Sequence, residues 1–347
     1  MKKLIAFFIL LTLLLSGCMQ SPPETTPPTT TQPLQNEALS VHFIDVGQAD
    51  CALLECGGKF MLIDGGNVED SSLVVSYLQK QGVQELEAVV CSHAHEDHVG
   101  GLPGVLAVFP TKAVYAPTRT YSSKCFDDFV YYTDQQGLTI TIPKPGDTLT
   151  LGIATATVLG PVESYAETNN TSIVLMVQFG NNKFLFTGDM ETDAENDLLD
   201  SGAKVKADVL KVGHHGSNTS TGYRFLYEVN PAFAVISVGR GNSYGHPHDE
   251  PMSRLRDADV TIYRTDEMGA IIAVSDGKNI SFSWESASAK PEDPTEGTAQ
   301  YYIGNINSKT LHLPSCSSLP AEKNQIRFNS YEFAVSEGYH PCSRCMG

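Results

Sequence analysis

The segment Ser92-His93-Ala94-His95-Glu96-Asp97-His98 places four metal-ligand side chains in six consecutive positions. Side chains two apart in an extended loop share a side, so His93 and His95 can converge on one cation. Asp97 and His98 are adjacent and point differently, which suits a second cation about 3.5–4 Å from the first. Gly100-Gly101 follows and is expected to let the backbone pass closely under the ions. The segment comes directly after Ala88 to Cys91, a short apolar run read as a buried strand. Strand ends are where a sheet gathers side chains from distant parts of the chain. The chain is therefore expected to fold around sheets whose loops meet at one edge.

Two other apolar runs end in a single acid, Phe60 to Ile63 before Asp64 and Phe184 to Phe186 before Thr187-Gly188-Asp189. A carboxylate at such an edge is costly unless a cation or hydrogen-bond donors satisfy it. Asp189 could bridge two cations through its two oxygens. Asp64 could accept a hydrogen bond from a ligand imidazole and fix its tautomer. Two more histidine pairs follow short apolar strands, His214/His215 and His246/His248. His246, held between Gly245 and Pro247, is read as a ligand or as a proton donor to a leaving group. His248, beside Asp249-Glu250, reads as a helix start, and His42, inside a strand, as structural. Ser217, Asn218 and Ser220 are either phosphate-oxygen donors or ordinary loop residues.

Around these lie further strands and helices. Val41 to Ile44 opens a strand. Gly57-Gly58 and Asn181-Asn182 mark hairpins. Helices are expected over Ser72 to Lys80, Ser122 to Gln136, Glu191 to Leu199 and Gly222 to Glu228. Strands are expected over Ala207 to Val212, Ala232 to Val238, Val260 to Tyr263, Ala270 to Val274 and Ile280 to Trp284. Strands interleaved with single helices imply a layered α/β or α+β domain. The 347 residues are 41% hydrophobic and carry a net charge of −17, which excludes a uniformly basic nucleic-acid binder. Eight cysteines are too sparse for a disulfide scaffold.

The chain begins with Lys2-Lys3 and an apolar run, Leu4 to Leu15, that ends Leu15-Ser16-Gly17-Cys18. A run of twelve residues is too short to span a bilayer but suits a secretory signal. The ending resembles the lipobox of bacterial and archaeal lipoproteins, which implies cleavage before Cys18 and acylation of its thiol. The expected order is a signal peptide over 1–17, then a lipidated Cys18 with a Pro/Thr-rich tether over 18–39. The main body covers 40–286, a Pro-rich acidic linker 287–299 and a small tail domain 300–347. This arrangement places the protein on the extracellular face of the cell membrane.

In the tail, His312, Cys316, Cys342 and Cys345 form two tight pairs of ligand types. Two disulfides fail on count, because the tail has three cysteines, so one structural zinc is expected. Tyr302 to Asn305, Ser308-Lys309, Phe328 to Ala334 and Gly338 to Cys342 resemble the zinc domain of the Ada DNA-repair protein. In that family all four ligands are cysteines and the first accepts a methyl group. His312 stands at that position here, which leaves a structural or binding role. Lys309, Lys323, Arg327 and Arg344 against Glu322, Glu332 and Glu337 leave the tail at 4 − 3 = +1, so the acid lies elsewhere.

The His-x-His-x-Asp-His pattern, with Asp64-Gly65-Gly66 before it and Thr187-Gly188-Asp189 after it, resembles the metallo-β-lactamase superfamily. Phe43 to Asp50, Asp208 to Ser217, Ser237 to Pro247 and Tyr263 to Asp266 resemble, more narrowly, the hydrolase domain of the competence protein ComEC and its secreted relatives. The resemblance implies a four-layer αβ/βα sandwich with two divalent ions, zinc or manganese, at the edge of its paired sheets. It places His93 and His95 on one ion, Asp97 and His98 on the other, and Asp189 between them. His214 or His215 would complete the second ion's set. A third histidine usual for the first ion is missing between His98 and His214, and Asn169 lies at about that place. A site poorer in nitrogen leans toward manganese. The activity implied is hydrolysis of a phosphodiester by a hydroxide shared between the ions, with Asp97 orienting it, on DNA or another phosphodiester polymer. The alternatives are a lactam, lactone or thioester hydrolase, or a non-catalytic binding lipoprotein.

Overall fold

The computed structural model describes residues 38–285 and 302–346, the latter without 315, 317, 329–333, 336 and 337. The signal segment, Cys18, the tether up to residue 37 and the linker lie outside the described residues.

The first half of the body runs β1 (Leu39–Phe43), β2 (Ala52–Cys56), β3 (Lys59–Ile63), α1 (Ser71–Lys80), β4 (Ala88–Val90), α2 (Glu96–Val99), α3 (Leu102–Val108), β5 (Val114–Tyr115) and α4 (Lys124–Gln135). The second half runs β6 (Thr148–Leu151), β7 (Ala154–Gly160), β8 (Val174–Phe179), β9 (Asn182–Phe186), α5 (Thr192–Asp200), β10 (Val209–Lys211), α6 (Tyr223–Val229), β11 (Phe233–Ile236), α7 (Asp249–Asp257) and β12 (Thr261–Arg264). A short α8 (Thr265–Met268), then β13 (Ile271–Ser275) and β14 (Ile280–Trp284), close the body.

The strands form two seven-stranded sheets, ordered β14-β13-β1-β2-β3-β4-β5 and β12-β11-β10-β9-β8-β7-β6. Each begins as an antiparallel meander and continues with parallel strands, β3-β4-β5 in one and β9-β10-β11-β12 in the other. Strands β4 and β11, each flanked on both sides within its sheet, are short and apolar throughout because both their faces are covered. One face of each sheet meets the other sheet, where Leu54, Met61 and Ile63 pack with Val177, Phe184 and Phe186. The Phe43 and Phe186 rings stack across that layer at 5.9 Å. Truncating such a phenylalanine to alanine costs about 3–5 kcal/mol. The opposite faces carry the helices: Leu53, Leu62 and Val89 pack on α1, α3 and α4, and Met176, Leu185 and Leu210 on α5, α6 and α7. The result is helix, sheet, sheet, helix, as the resemblance implies.

Several local readings change. The first hairpin turns at Gly57-Gly58, whose φ values of 61° and 72° are left-handed, as a tight hairpin requires. The second turns one residue earlier than expected, at Gly180-Asn181, and Asn182 already pairs with Phe179. The β6–β7 hairpin, α3 and α7 carry weak sequence signals. Strand β7 alternates buried and accessible residues at a sheet flank, and α7 buries only Pro251, Met252 and Leu255.

The tail forms its own sheet from β15 (Tyr302–Asn305), β16 (Thr310–His312), β17 (Gln325–Phe328) and β18 (His340–Pro341), in the order β17-β15-β16-β18. Its apolar core is Leu311, Phe328, Ala334 and Tyr339. A core that small needs a staple.

Candidate metal centre

The C-terminal ends of β3, β4, β9, β10 and β11 open on one edge of the sandwich, and the loops there carry the candidate residues. Strand β3 delivers Asp64, whose φ of 60° turns the carboxylate back across the sheet edge. Asp64 accepts from the Ser92 N–H at 2.7 Å and from His98 Nδ1 at 2.9 Å. That leaves His98 Nε2 as the ring's free nitrogen.

After β4 the chain bends through Ser92 to His95, and His95 itself is extended. Glu96 to Val99 form a helical turn with His95 as its N-cap, so Asp97 and His98 project from α2 rather than from a loop. His93 Nε2 and His95 Nδ1 lie 3.1 Å apart. Gly100 and Gly101 do not pass under this cluster. A Cβ on Gly101 would meet the Gly65 carbonyl at 2.1 Å, and one on Gly100 the Val68 amide at 2.4 Å. These glycines let α2 and α3 press on the loop after β3.

Strand β9 delivers Asp189 through Gly188, whose φ is 52° and where a Cβ would crowd Ser172 and Ser92. The Asp189 N–H donates to Ser172 Oγ at 3.0 Å. Its carboxylate faces both histidine sets. Oδ1 lies 3.2 Å from His98 Nε2, and Oδ2 lies 3.9 Å from His93, 3.7 Å from His214 and 3.6 Å from His215, all at Nε2.

Strand β10 delivers His214 and His215, both left-handed, at φ 49° and 52°. Consecutive left-handed residues are uncommon outside glycine and mark a backbone held by its surroundings. The strain lets adjacent imidazoles both reach Asp189. His215 Nδ1 lies 3.0 Å from the Ser237 carbonyl, leaving Nε2 at 3.2 Å from Asp97 Oδ2. His214 Nδ1 lies 3.1 Å from Thr219 Oγ1 and 3.4 Å from Glu191 Oε1. Both neighbours thus face Asp189.

Charge is concentrated here. Burial resists ionisation of Asp189, but His98, His215 and His93 hold its carboxyl far below the usual range. Burial likewise opposes charge on His98 and His215, yet the carboxylates outweigh it. Asp189, Asp64 and Asp97 raise His98, and Asp189 with Asp50 raises His215 to about 10. Burial and the neighbouring His98 push His93 down. His98 Nε2 and Asp189 Oδ1 are nevertheless buried without a well-aligned hydrogen bond. Asp97, His98, Asp189 and His215 hold one donor each within 4.8 Å of one another. Orphaned nitrogen and oxygen donors converging on one point fit divalent cations.

Asn169 is buried; its Nδ2 donates to Glu191 and its Oδ1 lacks a partner. His246 is half-buried, its ring 5.6 Å from that of His214. Burial, then the neighbouring imidazoles, lower it to about 4, so it is neutral near pH 7. His248 precedes α7 and accepts from the Asn218 N–H, and His42 pairs with the Tyr77 hydroxyl at 2.9 Å. Ser217 pairs with Thr219, and Ser220 is buried.

Asp50 and Lys211 escaped the sequence reading. Lys211 Nζ lies 2.8 Å from Asp50 Oδ2 with both side chains buried, and Asp50 Oδ1 lies 3.2 Å from His215 Nδ1. The available signal was a lysine inside the apolar run Val209-Leu210-Lys211-Val212, which demands a buried carboxylate. A cleft of about 680 Å³ opens beside Asp97 between Gln48, Asn67, Glu69, Asp70, Glu96 and Tyr244, with no lysine or arginine in its lining.

The tail's four donors also lie within 4.8 Å of one another. Parallel pairing of β16 with β18 matches Leu311 to Pro341, so the next residues, His312 and Cys342, are neighbours. Backbone turns bring Cys316 back to Leu313 and Cys345 back to Cys342. The Leu313 N–H points at Cys345 Sγ at 3.4 Å, and Ser318 draws the Cys316 thiol down to about 6. Three sulfurs and one imidazole in a closed set fit zinc.

Residues 44–240, more than half of the chain, match the protein family described as the Metallo-beta-lactamase superfamily. The chain belongs to that superfamily. Residues 286–346 match the metal binding domain of Ada. ComE operon protein 3 of Bacillus subtilis is 31% identical over 250 residues, 67% of this chain and 32% of that protein. Competence protein ComA of Neisseria gonorrhoeae is 31% identical over 261 residues, 75% of this chain and 34% of that one. The chain therefore spans about a third of the length of these relatives. The metallo-beta-lactamase fold protein YhfI of Bacillus subtilis is 15% identical with a TM-score of 0.49, covering 69% of this chain and 100% of that one.

Proposed function

We propose that this chain is a two-metal phosphodiesterase, anchored by a lipid on Cys18 outside the cell membrane, that cleaves DNA or another phosphodiester polymer. The observation that carries it is Asp189, whose Oδ1 faces His98 and whose Oδ2 faces His93, His214 and His215. His93, His95 and His214 would hold one cation with Asp189, and Asp97, His98 and His215 the other. On this reading His214 supplies the third imidazole missing between His98 and Asp189 in the sequence, and the ions are zinc or manganese.

Bound divalent cations would supply charge to polarise a phosphoryl group and bring the ionisation of water near neutral pH. The chain's own residues do the rest. Asp64 and the Ser237 carbonyl fix His98 and His215 with Nε2 inward. Asp97, more accessible than Asp64 and Asp189, lines the cleft and would orient the attacking water. His246 would donate a hydrogen bond to the leaving oxygen, which would take its proton from solvent. The competence relatives support a nucleic-acid substrate, and so does the Ada-like tail. The acidic cleft requires that the polymer's charge be offset by the cations.

The test is metal analysis of purified protein together with hydrolysis of plasmid DNA, bis(p-nitrophenyl) phosphate and a lactam under added zinc or manganese. Two ions in the body and diester hydrolysis without lactam hydrolysis are expected. Lactam hydrolysis alone would overturn the substrate class. Removal of the tail should raise KM for DNA alone, and Cys18→Ala should release the protein from membranes.

A further inference from the structure

Gln48 lies in the loop between β1 and β2 and reaches across the site edge to the loop after β11. Its Oε1 accepts from the Gly239 N–H at 3.1 Å, and its Nε2 lies 3.2 Å from His246 Nδ1. The approach needs a glycine: a Cβ on Gly239 would sit 2.6 Å from the Gln48 backbone nitrogen. The amide orientation is determined, because flipping it would set its NH2 against the Gly239 N–H. Nε2 is a donor only, so His246 Nδ1 must accept, and the ring must carry its proton on Nε2. The backbone of His246 is held as well. Asn242 Oδ1 accepts from its N–H at 3.0 Å, and Asn242 Nδ2 donates to its carbonyl at 2.6 Å. Tyr244 stacks on the imidazole at 5.7 Å.

We propose that Gln48 is a positioning residue that locks His246 in the Nε2–H tautomer, so that the ring presents a single donor to the oxygen leaving the phosphodiester. The use in catalysis rests on the phosphodiesterase reading; the lock itself does not. The donor matters most where the leaving oxygen is a poor leaving group, an alkoxide rather than a nitrophenolate.

The test has two arms on the full chain. Nitrogen-15 NMR of the histidine rings, with His246 assigned by its loss in His246→Gln, should show Nε2–H in the native protein. In Gln48→Glu, whose carboxylate can only accept, Nδ1 should become protonated. In Gln48→Leu, kcat on a dithymidine phosphate should fall by about tenfold or more, with kcat on bis(p-nitrophenyl) phosphate and the metal content little changed. A general structural defect would lower both rates alike and would overturn the positioning role. So would an Nδ1–H ring in the native protein, a result that needs no variant. A native enzyme inactive on both diesters, with the Nε2–H ring intact, would overturn the phosphodiesterase reading and the catalytic use but leave the lock standing.

Discussion

The tail gathers its four donors from two short segments, 312–316 and 342–345, which a single pair of neighbouring strands brings together. The body gathers its donors from the ends of three strands, β4, β9 and β10, in two different sheets, and one carboxylate faces both donor sets. The tail set is closed and sulfur-rich, the body set mixed in nitrogen and oxygen beside a cleft. A closed set stabilises a fold, whereas a set with accessible carboxylate and water positions can do chemistry. The body does not depend on its cations in the same way, since three apolar layers hold it.

That contrast can be broken most directly at Asp189. Asp189→Asn should lower diester hydrolysis by about a thousandfold or more and reduce the body below two cations, while the tail keeps its zinc. Full activity would mean that the shared carboxylate is misassigned. Cys342→Ser is the reciprocal experiment. It should remove the tail zinc and melt the tail sheet, seen as lost NMR dispersion for 302–346, and leave hydrolysis of bis(p-nitrophenyl) phosphate within about twofold. Loss of both would show that the two regions are energetically one.

Proton linkage sharpens the comparison. Without cations, His98 and His215 carry protons at pH 7, His215 up to about 10. Cations must displace those protons, so body affinity should fall by at least about tenfold from pH 8 to pH 6. Calorimetric titration in buffers of different ionisation enthalpy should show proton release on binding, and its absence would mean the imidazoles are already neutral.

The last effect touches neither cluster. Glu195 is buried beneath α6, where it accepts from the Thr221 and Gly222 amides, and burial raises its carboxyl to about 7. Between about 4.5 and 7 the folded state binds more protons than the unfolded one, so stability falls as pH rises through that window and is level above it. Glu195→Gln should remove a slope worth up to about 3 kcal/mol, read by denaturant unfolding of metal-free protein at pH 5 and pH 8. An unchanged slope would place the buried charge elsewhere.

Spacing along the chain suffices where donors are close in sequence. His93 and His95, the pair Asp97-His98, and the tail's two pairs are legible because local geometry sets their reach. The single acids Asp64 and Asp189 are legible because an apolar run ending in a carboxylate needs a partner. The sandwich follows from strands interleaved with helices and from the family's motifs. Tertiary structure alone decides that His214 and His215 both reach Asp189, since that depends on two left-handed residues in succession. It alone pairs Lys211 with Asp50, a contact across 161 residues, and Gln48 with His246 across 198. It also assigns Gly100 and Gly101 to helix–loop packing rather than to the site. The physical reason is common to all of these: the energy of each contact depends on which strand ends the two sheets bring side by side, and no local pattern of side chains encodes that distance.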